Sequence, residues 1–105
     1  MSEVVVVAVF TAKPGHEREV EEALGRLIPP THDEPGCITY ALHRGLDDPA
    51  SFAIVERWTS RAALDEHFTR PHMAAVAGAA EHLAEPPKVL FSEALAMGDP
   101  EKGAI

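Results

Sequence analysis

The side chains able to move protons concentrate between Phe52 and Met73. His67 follows Leu64 by three residues and precedes Phe68, so the three share one face of a short helix opening near Ser60. An inward-facing neutral imidazole takes up a proton near pH 7, which makes His67 a candidate base; the plainer reading is a core histidine satisfied by one hydrogen bond. Glu56 alternates onto the same strand face as Phe52, Ile54 and Trp58. A carboxylate there carries a desolvation cost unless it is hydrogen-bonded. Contact with His67 would relieve that cost and orient the ring, and an ionised Glu56 beside it would raise the usual histidine pKa of about 6.5. A purely structural Glu–His or Glu–backbone contact satisfies the same pattern. Trp58, the only tryptophan, and Tyr40, the only tyrosine, could stack a planar aromatic ligand or fill ordinary core. Phe68, His72 and Met73 are expected at the rim of such a cavity.

Other chemistries find little support. His67 and His72 lie five residues apart across Pro71, unlike the H-E-x-x-H spacing that places two ligands on one helical face, so no metal is expected. None of the seven glycines forms a phosphate-cradling motif, and no nucleotide cofactor is expected. A formal charge of −8, from 17 acidic and 9 basic side chains, repels the phosphate backbone of nucleic acid. Cys37 is the single cysteine and is expected free and buried. No apolar run approaches the roughly 18 residues of a spanning helix, and no leader pattern opens the chain, so a soluble cytoplasmic protein without membrane contact is expected. His16, His32 and His43 occupy polar or turn contexts and read as surface residues.

The elements that must position these groups follow from periodicity. Val4 to Phe10 is a β-branched run expected as a strand covered on both faces, ended at Pro14-Gly15. Val20, Leu24, Leu27 and Ile28 mark one face of a helix from Pro14 to Ile28, which Pro29-Pro30 should end or kink. His32-Asp33-Glu34 reads as a polar connector. Cys37 to His43 is a second strand with Ile38, Tyr40 and Leu42 on one face, joined by a short loop to a third, Ser51 to Trp58. A second helical segment starts at Pro71, with Met73, Val76, Ala77, Ala80 and Leu83 at helical spacing, and Val89 to Leu95 is the last strand. This order matches the ferredoxin-like split βαβ class: one α+β domain over 1–97 with a four-stranded antiparallel sheet and helices on one face, then a flexible tail over 98–105. The uncovered apolar sheet face calls for a second copy, giving a face-to-face homodimer.

Glu34-Pro35-Gly36-Cys37, Glu56-Arg57-Trp58, Leu64-Asp65-Glu66-His67-Phe68 and Pro71-His72-Met73 together resemble the antibiotic biosynthesis monooxygenase family, and more narrowly its small quinol-monooxygenase branch. The resemblance spans Val4 to Leu95 and implies a dimeric α+β barrel. It also implies oxidation of quinols or polyketide phenols by molecular oxygen without metal, flavin or haem. The aromatic-polyketide branch carries an Asn and a Tyr where this chain has Ile54 and Leu64, so only Trp58 carries over. The haem-degrading branch places its residues at positions matching Ala8, His67 and Ala77, which disfavours that chemistry here. An isomerase branch shares the His67 and Pro71-His72 pattern. The expected function is therefore cofactor-independent oxidation of a small aromatic substrate by O2. His67 is the base, Glu56 its partner, and Trp58, Tyr40, Phe68, His72 and Met73 contact substrate. The alternatives are a non-oxidative isomerase of a phosphosugar-like substrate and a non-catalytic ligand-binding dimer.

Overall fold

In the computed structural model, which describes residues 2–105, the chain winds around one central strand. This is β1 (Val4–Thr11), followed by α1 (Glu17–Gly25), α2 (Ile28–His32), β2 (Cys37–Arg44), β3 (Ser51–Trp58) and α3 (Arg61–His67). A 3-10 turn (Pro71–Met73), α4 (Ala74–Ala80) and β4 (Lys88–Ser92) complete it. The strands form one antiparallel sheet in the order β2-β3-β1-β4, the ferredoxin-like arrangement. β1 pairs with β3 on one side and β4 on the other, which is why its sequence is apolar almost throughout.

The pleat sorts side chains into two layers. Val6, Ala8, Phe10, Tyr40, Phe52, Ile54 and Trp58 are buried in one core with Val20, Leu24 and Leu64 from the helices and Leu27 from the turn between α1 and α2. Each large apolar side chain so covered stabilises the fold by about 1.5–3 kcal/mol. On the opposite face Val5, Val7, Ala41, Ala53 and Val55 are only half-buried, and Leu90 is 61% exposed. That face is apolar and open.

Several boundaries differ from the sequence expectation. The first helix stops at Gly25, and Pro29-Pro30 opens α2 instead of ending a longer helix. Proline suits a helix start because the first-turn N–H groups have no acceptor within the helix. β2 carries a bulge between Cys37 and Thr39, so Ile38 leaves the ladder at 41% exposure and the expected inward face begins only at Tyr40. α4 ends before Leu83, which instead reaches a bridge to Ala12, and β4 runs over Lys88–Ser92 instead of Val89 to Leu95. Ser60 caps α3 as expected, its hydroxyl accepting from the Ala63 N–H at 3.1 Å. In the tail, the Asp99 carboxylate accepts from the N–H groups of Glu101 and Lys102, and residues 98–105 are exposed.

Candidate active site

The site is centred on a residue of the connector between α2 and β2. Glu34 donates its N–H to Thr31 O at 3.0 Å and its carbonyl accepts from Cys37 N at 3.1 Å, so its backbone is fixed on both sides. The next turn is docked against the start of α3. Gly36 O accepts from Thr59 N at 2.9 Å, and a Cβ on Gly36 would stand 2.3 Å from Ala63 Cβ. Only glycine allows this close approach without displacing α3. The docking buries the Glu34 side chain under α3 and the following 3-10 turn.

One oxygen of Glu34 serves both histidines. Oε2 accepts from His67 Nδ1 at 2.8 Å and from His72 Nε2 at 2.9 Å, while Oε1 lies 3.6 Å from Arg70 Nε. A carboxylate can only accept, so each contacting ring nitrogen carries the proton. That tautomer leaves His67 Nε2 as a bare lone pair. His67 is 1% exposed and forms part of the wall of a cavity of about 120 Å³. The other walls include Tyr40, Glu56, Phe68, Met73 and Val89. Glu34 stands behind His67, outside the lining, so Nε2 is the nitrogen available to a ligand.

Burial lowers the His67 pKa from its ordinary value, with Glu34 pulling the other way and His72 and Arg70 adding to the decrease. His67 is therefore a neutral acceptor at pH 7. This departs from the expectation of an unshifted or raised value. The cause is that burial outweighs the carboxylate in contact with the ring, which is Glu34; Glu56 is engaged elsewhere, its Oε1 accepting from Trp58 Nε1 at 3.0 Å. Burial raises the Glu56 pKa to about 7 against the opposing effect of the indole N–H, and Glu34 raises it further. Tyr40 is also raised, first by burial and then by Glu56 and Glu34, so its phenol stays protonated. Cys37 is free and half-buried; burial, then Glu34 and Glu56, raise its pKa and keep it a thiol.

With that geometry in place, similarity to known proteins carries direct weight. The family model described as antibiotic biosynthesis monooxygenase matches residues 3–79. The chain belongs to that family. Rv0793 of Mycobacterium tuberculosis, named as a monooxygenase, is 38% identical over 71 residues, covering 68% of this chain and 69% of that protein. YgiN of Escherichia coli K12, named as a quinol monooxygenase, is 31% identical over 80 residues, covering 67% of this chain and 77% of YgiN. A Synechocystis protein, sll1783, is 36% identical over 69 residues, 66% of this chain, which spans 47% of that protein's length. The solved structure of Rv0793 superposes with a TM-score of 0.86 at 33% identity, covering 93% of this chain and all of the other. PA3566 of Pseudomonas aeruginosa gives 0.84 at 31% identity, covering 91% and 97%.

Within this antibiotic biosynthesis monooxygenase fold, the residues picked out by sequence fall into two shells. His67, Glu56, Tyr40, Phe68 and Met73 line the cavity. Trp58 and His72 do not. The Trp58 ring backs His67 at 4.6 Å between centroids, and Tyr40 meets the same imidazole edge-on at 5.4 Å. Trp58 is fully buried because β3 ends beneath α3, so it holds the imidazole in place instead of forming a wall. Phe68 is 47% exposed and meets Phe91 edge-on at 6.1 Å, with the Arg61 guanidinium 4.9 Å over the Phe91 ring. Of these three side chains Phe68 lines the cavity, with the other two packed outside it. Glu34 lies in the expected polar connector, although it also opens one of the four family-like segments. That segment is the sequence signal for it.

No helix is long and apolar enough to cross a membrane among the described residues. For a metal, Glu34, His67 and His72 offer one oxygen and two nitrogens, all within 4.8 Å of one another. The five-residue spacing of the two histidines says nothing of a third donor, which lies 33 residues before His67.

Proposed function

We propose that this chain is a cofactor-independent monooxygenase of an electron-rich phenol or hydroquinone, with His67 Nε2 as the base. The observation that carries this is a buried imidazole with Nδ1 anchored on a carboxylate and its other nitrogen left for an apolar cavity. Removal of the substrate's hydroxyl proton gives an electron-rich anion. The resulting imidazolium is stabilised by Glu34, in the role first expected of Glu56. The anion passes one electron to O2, the radical pair joins at a ring carbon, and the hydroperoxide loses water. For a hydroquinone, the substrate and one O2 become a hydroxyquinone and one water. The substrate supplies all the electrons; the protein supplies the base and a dry cavity.

About 120 Å³ is small beside the roughly 300–1,000 Å³ of drug-sized pockets, which favours a single-ring quinol over a fused polyketide. Tyr40, Phe68 and Met73 would grip its faces, and Glu56, protonated below about pH 7, would offer a hydroxyl donor. The isomerase reading uses the same base without consuming oxygen. A panel of quinols of increasing ring number under an oxygen electrode separates the two, with fastest uptake expected for one ring.

The chain is proposed to work as a homodimer through the open sheet face, whose valines and Leu90 want cover. Sedimentation at micromolar concentration is expected to give about twice the 11.3 kDa chain mass. A stable monomer would contradict it.

A further inference from the structure

We propose that Glu34, His67 and His72 form a site for a first-row divalent transition ion of the zinc type, and that its occupancy switches off the cavity base. Three facts carry the site. The donors Glu34 Oε2, His67 Nδ1 and His72 Nε2 converge within 4.8 Å, two imidazoles and a carboxylate, the set such ions prefer over magnesium or calcium. The oxygen lies 2.8 and 2.9 Å from the two nitrogens. Ligands held at zinc bond lengths stand about 2.9 Å apart at a right angle and about 3.3 Å apart at a tetrahedral one. The oxygen therefore already stands near ligand spacing from each nitrogen, and the two nitrogens, within 4.8 Å of each other, must rotate to about that spacing to admit the ion. Finally, the donors are already oriented: Trp58 and Tyr40 fix His67 by ring contact, and the backbone bonds of Glu34 fix the carboxylate. Among the described residues the Arg70 guanidinium, 3.6 Å from Oε1, is the positive group placed against the ion, and it weakens the site.

The consequence follows from tautomer chemistry and rests on the reading of His67 as the base. An ion on Nδ1 needs that nitrogen's lone pair, so the ring proton must sit on Nε2. The nitrogen left for the cavity then becomes a donor and can no longer accept a proton from a quinol.

Isothermal titration calorimetry of the chelator-treated chain with Zn2+ tests the site without reference to turnover. One ion per chain is expected. Glu34→Gln and His72→Ala are each expected to weaken binding more than ~10-fold, and Arg70→Gln to tighten it. Elsewhere His16 and His82 stack with their Nδ1 atoms 3.1 Å apart, and His82→Ala, which removes a ring from that pair, should leave the isotherm unchanged. Co2+ should give visible absorption bands in the wild type that Glu34→Gln lacks. Absence of binding to the wild type, or unchanged affinity in Glu34→Gln and His72→Ala with native circular dichroism, would overturn the site. If Zn2+ binds and quinol oxidation persists undiminished at saturation, the switch falls. If the zinc-free chain oxidises no quinol, the function proposed above fails and the ion site stands.

Discussion

Two pairs of histidines occupy this small molecule, and they differ in almost everything that matters for chemistry. His67 and His72 point nitrogens at one buried carboxylate oxygen, 2.8 and 2.9 Å away. His16 and His82 instead face each other, Nδ1 to Nδ1 at 3.1 Å with rings stacked at 5.2 Å. Their carboxylates, Glu19 at 3.9 Å and Glu81 at 3.4 Å, are well exposed. In the first pair a fixed acceptor dictates which nitrogen carries the proton, and burial keeps one imidazole neutral and dry. In the second, water competes for every contact, and nothing selects a tautomer beyond the neighbouring ring. Residue type alone does not make a site; a buried third partner does.

The comparison breaks most sharply on substitution. His67→Ala is expected to lower quinol turnover by about 10²–10⁴-fold with the fold retained, the usual worth of a general base. His82→Ala should leave turnover unchanged. Equal losses from both, measured as kcat by oxygen uptake, would mean that burial and Glu34 confer nothing special.

Glu56 sharpens the contrast between a carboxylate bonded to two histidines and one bonded to an indole. Its folded pKa of about 7 exceeds the reference value of 4.5, so the native state holds this proton more tightly than the unfolded chain. The associated stability is complete below pH 4.5 and is lost as pH rises through about 7, amounting to on the order of 3 kcal/mol. Glu56→Gln keeps the acceptor for Trp58 Nε1 and cannot ionise. Its urea midpoint, compared with wild type at pH 5 and pH 8, should be similar at the first and higher at the second.

Gly36 tests how the shared carboxylate is held. Gly36→Ala sets a methyl 2.3 Å from Ala63 Cβ and must push the Glu34 turn off α3. A loss of about 1–3 kcal/mol in stability is expected by thermal unfolding, with turnover reduced as Glu34 withdraws from His67. The same substitution at Gly25, where a Cβ meets nothing within 4 Å, should cost no turnover.

The fold was largely legible because its signals are local. β-branched runs, the helical spacing of Val20, Leu24 and Leu27, and the Ser60 cap each report on a few neighbouring residues. His67 was legible for the same reason, lying between Leu64 and Phe68 on one helix face. Its partner was not, since the Glu34 contact spans 33 residues and depends on a glycine-permitted docking that periodicity does not encode. Glu56 looked the better partner because strand alternation placed it inward beside Trp58. Glu56 is inward, and the indole N–H two residues away on the same face donates to its carboxylate. The bulge at Ile38 belongs to the pairing of two strands and is written in neither sequence.

The central claim is that His67 and the substrate suffice for oxygen chemistry. Oxygen uptake by the chelator-treated, flavin-free chain with a single-ring hydroquinone, measured beside His67→Ala, tests it most directly. The account predicts catalysed uptake of one O2 for each hydroxyquinone formed, abolished to near background in the variant. A wild-type chain that binds the hydroquinone yet consumes oxygen no faster than buffer would contradict it.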